Sequence, residues 1–231
     1  MALPAPEAIL FDWDNTLVDT WPVIHEAMVA TFTAMGHEPW TLAQTKERVS
    51  KSMRDAFPEL FGDRWEEAGD IYQAHYKSNH LQKLQPLPGA HEVLLRVKEL
   101  GLFCGVVSNK KGPTLRQEVE HMGWNALFDT VVGSDDAAKD KPYPEPVHFA
   151  FRQSHIKPAS HVWFVGDSHV DLEVALNTGC TAILFGAEAG GHALYTPTHF
   201  QGMPYQAHVT DHAQMLGLLS VSPSPSGRGP G

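Results

Sequence analysis

Five short runs along the chain are almost wholly apolar, at 8–11, 102–107, 130–132, 162–165 and 181–185. A strand with one face in water alternates apolar and polar side chains, whereas one covered on both faces does not. These runs therefore predict buried, parallel strands. Longer stretches with helical spacing lie between them. Val93, Leu94, Val97 and Leu100 share one helical face, and Gly101 stops that helix. Pro113 suits the first turn of another, running to about Met122 with Gly123 as its stop. Alternating strand and helix predicts an α/β fold with a doubly wound, Rossmann-like parallel sheet.

One stretch breaks the alternation. From Val18 to Gln85 no strand pattern is visible, only helical spacing over 21–35, 42–53 and 64–81, and Pro86-Leu87-Pro88-Gly89 ends it with a stiff turn. It reads as a helical cap inserted after the first strand. The expected organisation is a core of 1–17 and 86–221, a cap of 18–85, and a flexible Pro/Gly/Ser-rich tail over 222–231.

A chain of 231 residues, 42% hydrophobic and 19% charged, can bury a core without staples and is not a disordered one. Seventeen basic residues against 27 acidic ones give a net charge of −10. No broad basic face is expected, so nucleic acid and anionic membranes are poor partners. Cys104 and Cys180 lie in apolar surroundings and read as buried, reduced thiols. Met1 to Glu7 lacks a basic stretch followed by an apolar one, and no apolar run nears the roughly 18 residues that span a bilayer. A cytoplasmic protein is the expectation. A monomer or a homodimer is expected.

The polar clusters follow the predicted strands, where parallel sheets place their ligands. Asp12, Asp14 and Thr16 follow the first. Two carboxylates this close repel unless a cation or proton is shared, although Asp, Asn and Thr are also good helix caps. Ser108, Asn109 and Lys110 follow the second, offering a hydroxyl, an amide and backbone N–H groups at a helix start, a cradle for an anion. Lys141 opens Lys-Pro-Tyr-Pro-Glu-Pro, whose prolines would hold it in place. Asp167 and Asp171 follow the fourth, one helical turn apart and facing the same way. Hard oxygens from two strand ends suit Mg²⁺.

Taken in this order, the four clusters resemble the motifs of the haloacid dehalogenase superfamily, in its phosphatase branch. The match is Asp12/Asp14/Thr16, then Ser108, then Lys141, then Asp167/Asp171, over residues 8 to 219, with the helical insertion where that family carries a cap. Lys141 is preferred to Lys139 because the Lys-Pro-x-Pro-x-Pro pattern belongs to it. The resemblance implies Mg²⁺-dependent hydrolysis of a small phosphorylated metabolite. Asp12 would be the nucleophile that becomes an aspartyl-phosphate, and Asp14 the general acid and base. Ser108 and Lys141 would neutralise the transferring oxygens, with Thr16, Asn109 and Lys110 helping to hold the phosphate. Asp12, Asp14 (by its carbonyl) and Asp167 would hold the metal, and Asp171 would orient Lys141 or a metal-bound water. Position 15 is Asn where such phosphatases usually have Gly, and Asn is the side chain that best tolerates a left-handed turn.

Asp14 weighs against a carbon-centred dehalogenase, which lacks an acid there. A sugar phosphomutase shares all four motifs and is the alternative, and a non-catalytic phosphate-binding module is a third reading. In the cap, Lys51 and Arg54 with the segment 57–62 resemble the specificity region of phosphoglycolate phosphatase-like members, and a cation there could pair with a substrate carboxylate. The 14 histidines are scattered. His208 and His212 have i, i+4 spacing with no third ligand nearby, and His169 lies inside the last motif without an assigned role.

Overall fold

The structure, a computed structural model, describes residues 3–49, 52–186 and 204–221. The chain opens with β1 (Ala8–Phe11) and a two-residue strand β2 (Val18–Asp19). Four helices follow: α1 (Trp21–Ala34), α2 (Leu42–Arg48), α3 (Met53–Phe61) and α4 (Trp65–Lys83). Next come β3 (Gln85–Pro86), α5 (Ala90–Glu99), β4 (Phe103–Lys111), α6 (Gly112–His121), β5 (Thr130–Ser134) and α7 (Glu145–Ala150). The last elements are β6 (Val162–Gly166), α8 (His169–Thr178), β7 (Thr181–Phe185), β8 (Ala207–Val209) and α9 (His212–Val221).

Six strands form one sheet in the order β5-β4-β1-β6-β7-β8, and every neighbouring pair is parallel. β1 shows why its sequence is continuously apolar. Ile9 and Phe11 pack on one face with Val93, Val106 and Leu115. Ala8 and Leu10 pack on the other with Val107, Phe164 and Leu172. Both faces are covered, so alternation is unnecessary. The chain winds outward from β1 to β4 and β5 on one side, and through β6, β7 and β8 on the other. β1 is thus the switch point, and the crevice beyond its C-terminal end is where such sheets bind ligands.

The helices between β2 and β3 bury their own apolar cluster, which includes Ile24, Met28, Phe32, Phe57, Phe61 and Tyr76. At their base β2 pairs antiparallel with β3, Val18 opposite Pro86 and Asp19 opposite Gln85. That ribbon corrects the expectation of no strand in this stretch. A two-residue strand is too short to carry a period.

The helix expected over 42–53 is also interrupted. α2 ends at Arg48, Val49 is extended, and Ser52 precedes the new start at Met53. Elsewhere the stops behave as expected. Gly101 and Gly123 take φ of 67° and 70° just beyond α5 and α6, the left-handed conformation that closes a helix without a Cβ penalty. β4 runs on past residue 107 to Lys111, carrying Ser108, Asn109 and Lys110 in the strand itself. β8 is a further short strand that the pattern did not predict. The tail over 222–231 lies outside the described residues.

Candidate active site

Asp12 continues β1, its N–H donating to the Val165 carbonyl at 2.9 Å. The chain then turns sharply: Asn15 sits at φ 59°, its N–H bonds to the Val18 carbonyl at 2.7 Å, and its Oδ1 accepts from the Thr20 N–H at 3.3 Å. Asn is therefore tolerated here, as expected, and its amide secures the turn.

Three strand ends bring the remaining residues together. Lys141 Nζ lies 2.7 Å from Asp12 Oδ1 and 2.7 Å from Asp171 Oδ1. The other oxygen of Asp171 accepts from the Ser168 N–H at 3.0 Å and its hydroxyl at 2.6 Å, so the carboxylate that starts α8 also aims the lysine. One ligand atom each from Asp12, Asp167 and Asp171 lies within 4.8 Å of the others, the sole group of potential metal ligands among the described residues. The Asp14 side chain is not part of it. Thr16 is fully buried and directs its hydroxyl to Asp167 Oδ1 at 3.4 Å, supporting an acid rather than lining the cavity described below. Ser108 is buried at the tip of β4, where its Oγ accepts from the Lys110 N–H at 3.2 Å.

Burial pushes Asp12 up to about 7 against the pull of Lys141, with Asp171 and Asp14 adding to the rise. Burial, then Asp171 and Asp12, raises Asp167 well above the carboxylate range. Lys141 is raised despite its burial because Asp12 and Asp171 face it. The two partners pull apart: the raised lysine describes a firm ion pair and the raised Asp12 a weakened one. Two contacts at 2.7 Å favour the ion pair, with Lys141 charged. The buried Asp12 and Asp171 share one lysine with the half-buried Asp167 beside them, so the set is short of positive charge. Hard oxygens this close fit a divalent cation such as Mg²⁺.

A second cluster was not foreseen. Lys110 Nζ bridges Asp14 Oδ1 at 2.5 Å and Glu118 Oε2 at 2.6 Å. Glu118, on α6, is fully buried and also accepts from Trp13, Tyr76 and His80. The sequence carried a faint signal: an acid at 118 lies between Leu115 and Val119 on the buried side of a helix.

Above the acids is a cavity of about 290 Å³ bounded by Asp12, Asp14, Ser108, Lys141 and Asp167 below. Trp21, Met28, Phe57, Trp65 and Tyr72 from the helices between β2 and β3, with Trp40 from the loop between α1 and α2, give it an apolar roof. Arg54 borders it too, but its guanidinium is paired: Nη2 is 2.9 Å from the buried Asp140 Oδ2, outside hydrogen-bond alignment, and Nη1 is 3.6 Å from Asp135. Lys51 lies outside the described residues. His208 is on β8 and His212 begins α9, so the two do not share a helix face. Among the described residues no helix is long and apolar enough to cross a membrane.

Residues 9–185 match the family model described as haloacid dehalogenase-like hydrolase. A phosphoglycolate phosphatase of Rhodobacter capsulatus is 25% identical over 224 residues, covering 92% of this chain and 96% of that one. A pyrophosphatase, PpaX, of Halalkalibacterium halodurans is 27% identical, covering 77% of this chain and 82% of that protein. Among solved structures, a HAD-superfamily hydrolase of Ehrlichia chaffeensis is similar with a TM-score of 0.63 and 28% identity, covering 95% of this chain and 98% of that one. The chain belongs to the haloacid dehalogenase-like hydrolases.

Proposed function

We propose that this hydrolase is a Mg²⁺-dependent phosphatase acting on a small phosphomonoester through an aspartyl-phosphate on Asp12. The observation that carries the reading is the meeting of Asp12, Lys141 and Asp171 within 2.7 Å contacts beside Asp167. A carboxylate nucleophile attacking a phosphate dianion meets charge repulsion, and this site answers it with a buried lysine and a cluster fit for a cation. Asp12 and Asp167, with the Asp14 main-chain carbonyl, would hold Mg²⁺. Both oxygens of Asp171 are already engaged, which suits it to aiming Lys141. When bound, Mg²⁺ supplies positive charge that lets the phosphate and the acids coexist.

The residues divide the remaining work. Asp12 attacks phosphorus as the ester oxygen departs, and Asp14 gives that oxygen its proton. Asp14 then takes a proton from the water that attacks the aspartyl-phosphate, releasing inorganic phosphate. Lys141 and the Ser108 hydroxyl hold the phosphoryl oxygens. Asn109, whose amide clasps the Lys141 main chain, supports the lysine. The helices of 18–85 act as a cap that shields the phosphoenzyme from bulk water. A cytoplasmic location fits this chemistry.

The names of relatives make 2-phosphoglycolate the first ester to try. The apolar roof favours a second class, esters whose alcohol is bulkier and apolar, because Arg54 is already paired with acids. Phosphate release over a panel of both classes, with Mg²⁺ and with EDTA, tests the reading. Mg²⁺-dependent release supports it, and no release from any ester contradicts it. Isomerisation of a sugar phosphate without net release would favour the mutase.

A further inference from the structure

Glu118 is a fully buried carboxylate with four donors on its two oxygens. Trp13 Nε1 at 2.7 Å and Lys110 Nζ at 2.6 Å reach Oε2. Tyr76 Oη at 3.0 Å and His80 Nδ1 at 2.8 Å reach Oε1. Burying a charge is strongly unfavourable, and beside Leu115 and Val119 a leucine would serve packing better. Lys110 makes its other contact to Asp14 Oδ1 at 2.5 Å. A lysine is a point charge on a flexible stem and by itself holds a partner loosely. Between two carboxylates, with the Tyr76 ring centroid 5.2 Å from Nζ, it has one place to be.

We propose that Glu118 is a positioning residue for proton transfer: through Lys110 it fixes the Asp14 carboxyl where the departing ester oxygen must collect its proton. Trp13, beside Asp12 and Asp14 in the chain, and Tyr76 and His80 from α4 fix Glu118 in turn. The inference rests on the phosphatase reading. In the step concerned the bond from Asp12 to phosphorus forms, the ester P–O bond breaks, and the Asp14 proton passes to the leaving oxygen. An alkoxide needs that proton, whereas a nitrophenolate leaves without it. The consequence is a leaving-group dependence that a merely structural residue would not produce.

The experiment compares wild type with Glu118→Gln on an alkyl ester, 2-phosphoglycolate or whichever alkyl ester the panel favours, and on 4-nitrophenyl phosphate. The readout is kcat/KM, which reports phosphoryl transfer to Asp12 and departure of the ester oxygen, whereas kcat also contains the hydrolysis step that the two esters share. The expected result is a fall in kcat/KM of about 10–100-fold on the alkyl ester and a change of less than about threefold on the aryl ester. Should Glu118→Gln not fold, Tyr76→Phe removes one donor from Glu118 and predicts a smaller loss confined to the alkyl ester. Equal losses on both esters, or no loss, would overturn the inference and leave the phosphatase standing. A wild type that releases phosphate from neither ester would overturn both.

Discussion

The side-chain amide of Asn109 clasps the main chain of Lys141 at both ends: Oδ1 accepts from the Lys141 N–H at 2.9 Å, and Nδ2 donates to its carbonyl at 3.0 Å. The tip of β4 therefore carries the loop that delivers the active-site lysine. Asn109→Ala leaves two main-chain groups unpartnered and frees the lysine to drift. Misplacement of about 1 Å can cost on the order of 100-fold. The expected outcome is a kcat lower by roughly 10–100-fold, read from steady-state phosphate release, with a folded circular-dichroism spectrum. Unchanged kcat would mean that the prolines alone hold Lys141.

Gly166 ends β6 where a side chain has no room. A Cβ there would lie 2.3 Å from Asp171 Cγ and 2.4 Å from its Cβ. Gly166→Ala must push Asp171 off Lys141, so activity and melting temperature should both fall, by roughly 1–3 kcal/mol in stability. A variant of wild-type stability and rate would contradict the packing described.

Mg²⁺ should stabilise the protein, since the acids of the site are short of positive charge. At a 100-fold excess over Kd the gain is about 2.7 kcal/mol, or roughly 5–10 °C in Tm for a chain of this size. Asp167→Asn should lose most of that shift while remaining folded without metal. An equal Mg²⁺ shift in wild type and variant, by differential scanning fluorimetry, would remove Asp167 from the metal set.

His212 gives a pH prediction. It is buried, its Nδ1 lies 3.0 Å from the Pro88 carbonyl, and its Nε2 has no partner. Burial lowers its pKa below the ordinary 6.5. The folded state then resists a proton that the unfolded chain accepts, so stability is lost as pH falls below about 6.5, at up to about 1.4 kcal/mol per unit. Melting temperature between pH 7 and 5 should fall less steeply in His212→Gln than in wild type. Parallel slopes would refute the assignment.

What the sequence revealed follows from how local each feature is. β1 and β7 were legible to the residue because burial on both faces leaves Thr181, at the start of β7, as the one polar position in the two strands. Asp12, Ser108, Lys141 and Asp167 stood out as candidates because each follows an apolar run or opens a proline-stiffened loop. Glu118 was not, since its meaning comes from Trp13, 105 positions away, and from Tyr76 and His80 on another helix. The pairing of Arg54 with Asp140 was hidden for the same reason. The β2–β3 ribbon was too short to leave a pattern.

Asp12 as the nucleophile is the central claim, and trapping its phosphoryl adduct tests it most directly. Asp14→Asn should form the adduct from 4-nitrophenyl phosphate, which needs no acid, and then fail to hydrolyse it. Acid quench and peptide mass spectrometry should find one phosphoryl group on the peptide containing Asp12, and none in Asp12→Asn. A phosphoryl group on any other residue, or none while nitrophenolate is released in a burst, would contradict the account.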